Sequence, residues 1–129
     1  MNDSPPITRW NTGLGGRSRT VSAAGLIWTV ANAAPDSAPF ADQADATLRL
    51  LDEHLAEAGS HRSRLLSVQV LLADLADKPA FDLLWLDWIG DDPAGWPQRS
   101  CVGAGLAPGL RVEIVAMAAR GGGDGMLES

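Results

Sequence analysis

Two charged residues set in otherwise apolar, strand-like stretches are where this chain could do chemistry. Arg99 lies in Trp96-Pro97-Gln98-Arg99-Ser100-Cys101-Val102-Gly103, and Glu113 in Leu110-Arg111-Val112-Glu113-Ile114-Val115-Ala116. A guanidinium can grip a carboxylate through two parallel hydrogen bonds. A glutamate can hold and partly deprotonate a water, a role helped where burial raises its pKa. Strand side chains alternate faces, so Arg99, Cys101 and Gly103 share one side, as do Arg111, Glu113 and Val115. The linker from Ala104 to Gly109 is short enough for the two strands to be neighbours, which makes Arg99 and Glu113 candidates for one pocket. Charge inside a hydrophobic strand costs folding free energy unless it is paired or used. On composition and spacing alone, a structural ion pair or two solvent-facing side chains is the more frequent arrangement.

Other chemistries have less support. Cys101 has no histidine close in sequence, so an ordinary thiol pKa is expected and a cysteine nucleophile is not needed. Lys78 is the single lysine and begins a helix, which argues against a Schiff-base enzyme. His54 and His61 with one cysteine make no metal-ligand pattern, and neither metal nor cofactor is expected. A net charge of −6 offers no basic face for nucleic acid. No apolar run reaches the length of a membrane span, and the first six residues carry acid where a secretory signal carries base. The lone cysteine excludes an internal disulfide and suits a reducing cytoplasm.

The elements that must position these residues follow from pattern. A length of 129 residues fits one domain with one core. Residues 1–16, rich in proline and glycine, read as an irregular arm, with Trp10 packing against something such as a neighbouring subunit. The folded domain is expected over 17–119, and the glycine-rich 120–129 as a flexible tail. Arg17 to Ala23 and Leu26 to Ala31 read as strands joined by a tight turn at Ala24-Gly25. After a loop in which Asp36 or Ser37 can cap, Ala44, Leu48, Leu51, Leu55 and Ala58 form one helical stripe, ended by Gly59. The acids of that helix read as a solvated face, with His54 as a surface histidine among them. Leu65 to Leu72 is nearly continuous in apolar residues and reads as a central strand buried on both sides. A second helix runs from Lys78-Pro79 to Ile89 with Phe81, Leu84, Trp85 and Trp88 inward. Trp96 is either a pocket wall or part of a subunit seam. The order is β-β-α-β-α-β-β, an α+β domain with both helices on one sheet face.

The run Pro97-Gln98-Arg99-Ser100-Cys101-Val102, with Val112-Glu113-Ile114 behind it, resembles the C-terminal signature of the RidA/YjgF family of enamine/imine deaminases. Gly25 to Thr29, Gln43 to Leu51, Leu55 to Ser60 and Leu66 to Asp74 extend the likeness, in order, over about residues 15 to 119. The resemblance implies a chorismate mutase-like fold and a homotrimer with active sites in the clefts between subunits. It implies that Arg99 binds a substrate carboxylate, that Cys101 lines the pocket and offers backbone hydrogen bonds, and that Glu113 positions the hydrolytic water. The chain departs from the pattern at Gln98 (a small residue is usual), at Val30-Ala31-Asn32 (Ser-Gly-Gln is typical), at Arg17 (tyrosine) and at Asp82 (asparagine). The implied reaction is hydrolysis of a small 2-imino acid to the 2-keto acid and ammonia, without cofactor. Two alternatives stand beside it: a non-catalytic trimer that binds a small carboxylate, and a specialised hydrolase or isomerase whose cleft Val30 and Trp96 reshape for a larger metabolite.

Overall fold

The computed structural model describes residues 4–13, 15–33 and 38–121. Six strands form one sheet: β1 (Ile7–Asn11), β2 (Ser18–Ala23), β3 (Leu26–Ala31), β4 (Leu65–Leu72), β5 (Gln98–Gly103) and β6 (Val112–Ala119). Helix α1 (Phe40–Glu57) follows β3, and helix α2 (Lys78–Ile89) follows β4. The strand order is β1-β2-β3-β6-β4-β5. All neighbours are antiparallel except β4 and β5, which α2 connects as a crossover.

The presumed irregular arm contains β1, which pairs with β2 from Ile7↔Ala23 to Trp10↔Thr20. Pro5-Pro6 before it and the glycines after it hide a short edge strand, which needs a partner on one side only. Trp10 packs against the chain's own core. The β2–β3 hairpin turns at Ala24 (φ 52°) and Gly25 (φ 81°), with Ala23 paired to Leu26. Two positive φ values in a two-residue loop match the twist of the flanking strands.

The α1 stripe is buried as its spacing predicts, against Ile27, Ile114 and the small side chains of β6. Pro39 precedes the helix with φ −58°, and the expected caps Asp36 and Ser37 lie outside the described residues. At the other end Gly59 takes φ 83°, and the Ser60 N–H reaches back to the Leu55 carbonyl. In α2, Phe81 and Trp85 are buried, and Gly90 (φ 87°) ends the helix. Asp52 ties the helices together, accepting hydrogen bonds from the Arg62 guanidinium and from Trp88 Nε1.

The expectation that β4 is covered on both faces is corrected within the single chain. Val68, Val70 and Leu72 lie under the helices, whereas Leu66 and Gln69 are exposed. Two helices cover one face of a six-stranded sheet and leave the other open. The strand that carries Glu113 is shifted from its sequence pattern: β6 starts at Val112 and runs to Ala119, so Arg111 stands outside it. The Arg111 guanidinium pairs with Asp77 at 2.9 Å and lies over the Phe40 ring. Fully buried Gln43 fastens this segment, donating to the Gly109 carbonyl (3.1 Å) and accepting from the Arg111 N–H (3.0 Å). The expected tail falls almost wholly outside the described residues, which end at Gly121.

Candidate active site

Arg99 stands on the edge strand β5, in register with Val68 of β4, and therefore on the helix-covered face. Cys101, in register with Val70, follows on the same side. Helix α2 decides what the guanidinium meets. Phe81, Asp82 and Trp85 lie at helical spacing, so one turn presents two rings and a carboxylate together. The guanidinium carbon lies 5.7 Å from the Phe81 ring centre and 5.3 Å from that of Trp85. Its Nη2 donates to Asp82 Oδ1 at 2.7 Å. The Lys78 ammonium, one turn back, donates to Asp82 Oδ2 at 2.8 Å. Partial burial pushes the Asp82 carboxyl up, but the hydrogen bonds from Lys78 and Arg99 outweigh it and hold the group below the ordinary carboxylate range. Burial pushes the Cys101 thiol up, more than the nearby Arg99 and Lys78 charges lower it. That corrects the expected ordinary thiol: burial disfavours the thiolate that a cysteine nucleophile needs.

Glu113 is on the other side of the sheet. It pairs with Leu71, which alternates with the buried Val70 and Leu72, so its carboxylate leaves the sheet away from the helices. There it accepts a hydrogen bond from Asn32 Nδ2 at 3.0 Å. Glu113, Asn32, Val30 and Arg17 line a broad cleft of about 1000 Å³, with Ala107 and Pro108 and, from α1, Leu50 and His54 also in its lining. Arg99, Cys101 and Trp96 are not among its lining residues. Trp96 is half exposed just ahead of β5, its indole Nε1 donating to the Gly90 carbonyl.

The sequence reading that made β5 and β6 neighbours is therefore corrected. Strand β4 lies between them, antiparallel to one and parallel to the other, so Arg99 and Glu113 of one chain face opposite sides of the sheet. Arg99 sits with Cys101, and Glu113 sits with Val30. The assignment of His54 to the solvated face is also overturned. It is 5 % exposed, its Nδ1 lies 3.0 Å from Thr29 Oγ1, and that hydroxyl meets Thr20 Oγ1 at 2.7 Å. Burial first, and then the Arg19 charge, hold the imidazole below its ordinary pKa. The signal was present in the spacing: His54 follows Leu51 by three and Thr47 by seven, on the edge of the apolar stripe. Asp82 and Lys78 were legible as an i,i+4 pair but not as neighbours of Arg99. Among the described residues no cluster of three or more histidine, cysteine or acidic side chains is placed to hold a metal.

A family model described as Endoribonuclease L-PSP matches residues 1–120. The chain belongs to this family. A RutC family protein of Haemophilus influenzae is 38% identical over 78 residues, which cover 60% of this chain and 66% of that protein. A second RutC family protein, from Haemophilus ducreyi, is covered to 65%. The match thus spans about two thirds of the length of these relatives. Among solved structures, NMB1025 of Neisseria meningitidis, described as a member of the YjgF protein family, superposes with a TM-score of 0.78. It is 32% identical, with 89% of this chain and 95% of that one covered. Membership in the family of YjgF, RidA and RutC agrees with the likeness read from the signature, and the α+β fold agrees with its solved members.

Proposed function

We propose that this YjgF/RidA family chain hydrolyses a small enamine or imine that carries a carboxylate, at sites completed between copies in a homotrimer. The sidedness of the two half-sites supports this reading most directly. Arg99 is held at an open sheet edge with Cys101 beside it, and Glu113, which leaves the sheet on the far face, lines a separate cleft that has room for a ligand and also takes in Leu50 and His54 of α1. Two copies are what bring a carboxylate grip and a water-holding acid to one place. Arg99 would fix the substrate carboxylate and hence the C=N carbon. Glu113, oriented by Asn32, would accept a proton from water as its oxygen adds to that carbon. Glu113 returns that proton to the nitrogen, and the resulting carbinolamine expels ammonia as the C–N bond breaks, its hydroxyl proton passing through Glu113 to the leaving amine while the C–O bond becomes the keto group.

The test is ammonia and keto-acid release from an imino acid generated in situ by an amino-acid oxidase. Glu113→Ala and Arg99→Ala are each expected to lose activity by a factor of about a hundred or more. Equal parts of the two inactive variants, unfolded and reassembled together, are expected to regain about a quarter of wild-type activity, because that fraction of sites pairs an intact Arg99 with an intact Glu113 from another copy. Turnover by Glu113→Ala equal to wild type sinks the hydrolytic reading; inactive mixtures sink the shared site. Val30, which puts an isopropyl group on the cleft wall, favours a second reading as a non-catalytic carboxylate-binding trimer. That reading predicts that a keto acid raises the melting temperature through Arg99 while wild type releases no ammonia.

A further inference from the structure

Arg99 already has an anion on it. Asp82 occupies one guanidinium nitrogen, and Lys78 supplies a second cation to the other carboxylate oxygen. The three side chains are 19%, 34% and 44% exposed for Arg99, Asp82 and Lys78, so a ligand at the sheet edge can reach the group. A guanidinium has five N–H donors, and with its carbon over the Phe81 and Trp85 rings and one nitrogen on Asp82, donors remain for a second carboxylate. A carboxylate has about four lone-pair sites, and each Asp82 oxygen therefore keeps one to spare. Anything bound to the free edge of Arg99 must lie alongside the Asp82 carboxylate.

A bare anion there gains from the net positive charge of the Arg99–Asp82–Lys78 group but meets the Asp82 oxygen at close range with no proton between them. An anion with a cationic N–H donor on the adjacent carbon meets a hydrogen-bond acceptor instead. From this juxtaposition we propose that Asp82 is a specificity-determining residue that selects the protonated iminium form of the substrate: the ligand carboxylate lies on Arg99 and its C=NH2⁺ group donates to Asp82. The inference rests on the deaminase reading and narrows its substrate to a zwitterionic 2-iminio acid. The protonated form is the more electrophilic one toward water. The product presents a keto oxygen where the substrate presented N–H, so the same carboxylate that welcomes the substrate disfavours the product.

The test compares two stable probes that share a carbon skeleton, 2-aminobutyrate (carboxylate beside ammonium) and 2-oxobutyrate (carboxylate beside keto oxygen), by calorimetric titration of the assembled protein. Wild type is expected to bind the amino acid at least as tightly as the keto acid. Asp82→Asn is expected to shift the ratio of the two Kd values toward the keto acid by about tenfold, the scale of one charge-assisted hydrogen bond. Asp82→Glu, which keeps the charge, is expected to retain the preference in direction. An Asp82 that merely props Arg99 would weaken both probes together in the asparagine variant and leave the ratio unmoved, which overturns the proposal. Wild type preferring the keto acid overturns it without any variant. If wild type releases ammonia from imino acids but the ratio does not move, only the role of Asp82 is lost. If wild type releases none, the deaminase reading and the role of Asp82 fall together.

Discussion

Arg99 is a cation whose surroundings were chosen by a helix rather than by its own strand. The sequence around it announces a carboxylate grip, but its partners Asp82, Phe81 and Trp85 come from fourteen to eighteen positions upstream and meet it only because α2 packs across β5. His54 makes the same point from the opposite direction. A polar side chain among acids reads as solvated, yet its position on the α1 stripe turns it inward to Thr29. Its titration gives a prediction at this scale. The folded pKa lies below the ordinary histidine value through burial and the Arg19 charge, with Glu57, Glu53 and the Val30 carbonyl acting the other way. The unfolded chain therefore binds more protons than the native one once pH falls below that ordinary value. Stability is full above it and declines as pH drops toward the lowered folded pKa. Melting temperatures of wild type are expected to fall more steeply from about pH 7.5 to about pH 5.5 than those of His54→Asn, which removes the titrating group. Parallel profiles for the two proteins would show that His54 contributes nothing to the slope.

At the scale of elements, the periodic parts of the chain were legible and the aperiodic ones were not. Both helices, the hairpin and β4 follow from spacing and from Gly59, Gly90 and Ala24-Gly25, because apolar periodicity and positive φ are local properties. β1 was missed because an edge strand needs no apolar alternation. The adjacency of β5 and β6 was misread because a short linker permits a hairpin without requiring one; here the linker passes over the end of β4, where the Ala104 N–H bonds the Leu72 carbonyl. Ala24 offers a direct check of the turn. It holds φ 52° without the side-chain hydrogen bonding that helps asparagine in this region. Ala24→Asn is expected to stabilise the fold by about 0.5–1 kcal/mol in urea denaturation, by relieving left-handed strain in a two-residue turn. Unchanged or lower stability would mean that the turn is not of that type in solution.

At the scale of the whole molecule, one face of the sheet is finished by helices and the other is not. Trp28 (42 % exposed), Val115 (38 %) and Leu66 (44 %) stand on the uncovered side, on β6, which carries Glu113, and on its two neighbours β3 and β4. Apolar surface of this kind on a sheet face is expected where copies associate. The homotrimer we propose places it against neighbouring subunits. Val115→Asp is then expected to convert a trimer to monomer in sedimentation velocity. The isolated chain should keep its secondary structure, since an exposed site of this kind shifts stability by about 0.5 kcal/mol or less. A variant that sediments like wild type would locate the association surface elsewhere.

The amide of Gln43 gives the cleft a property that its shape does not reveal. With one end on the Gly109 carbonyl and the other on the Arg111 N–H, it nails the segment behind Ala107 and Pro108 to the interior of α1. Swinging that rim outward would strand two backbone groups and a buried amide together, at a penalty of several hydrogen bonds. That stretch is a doorpost, not a door: it holds its part of the cleft lining where it stands.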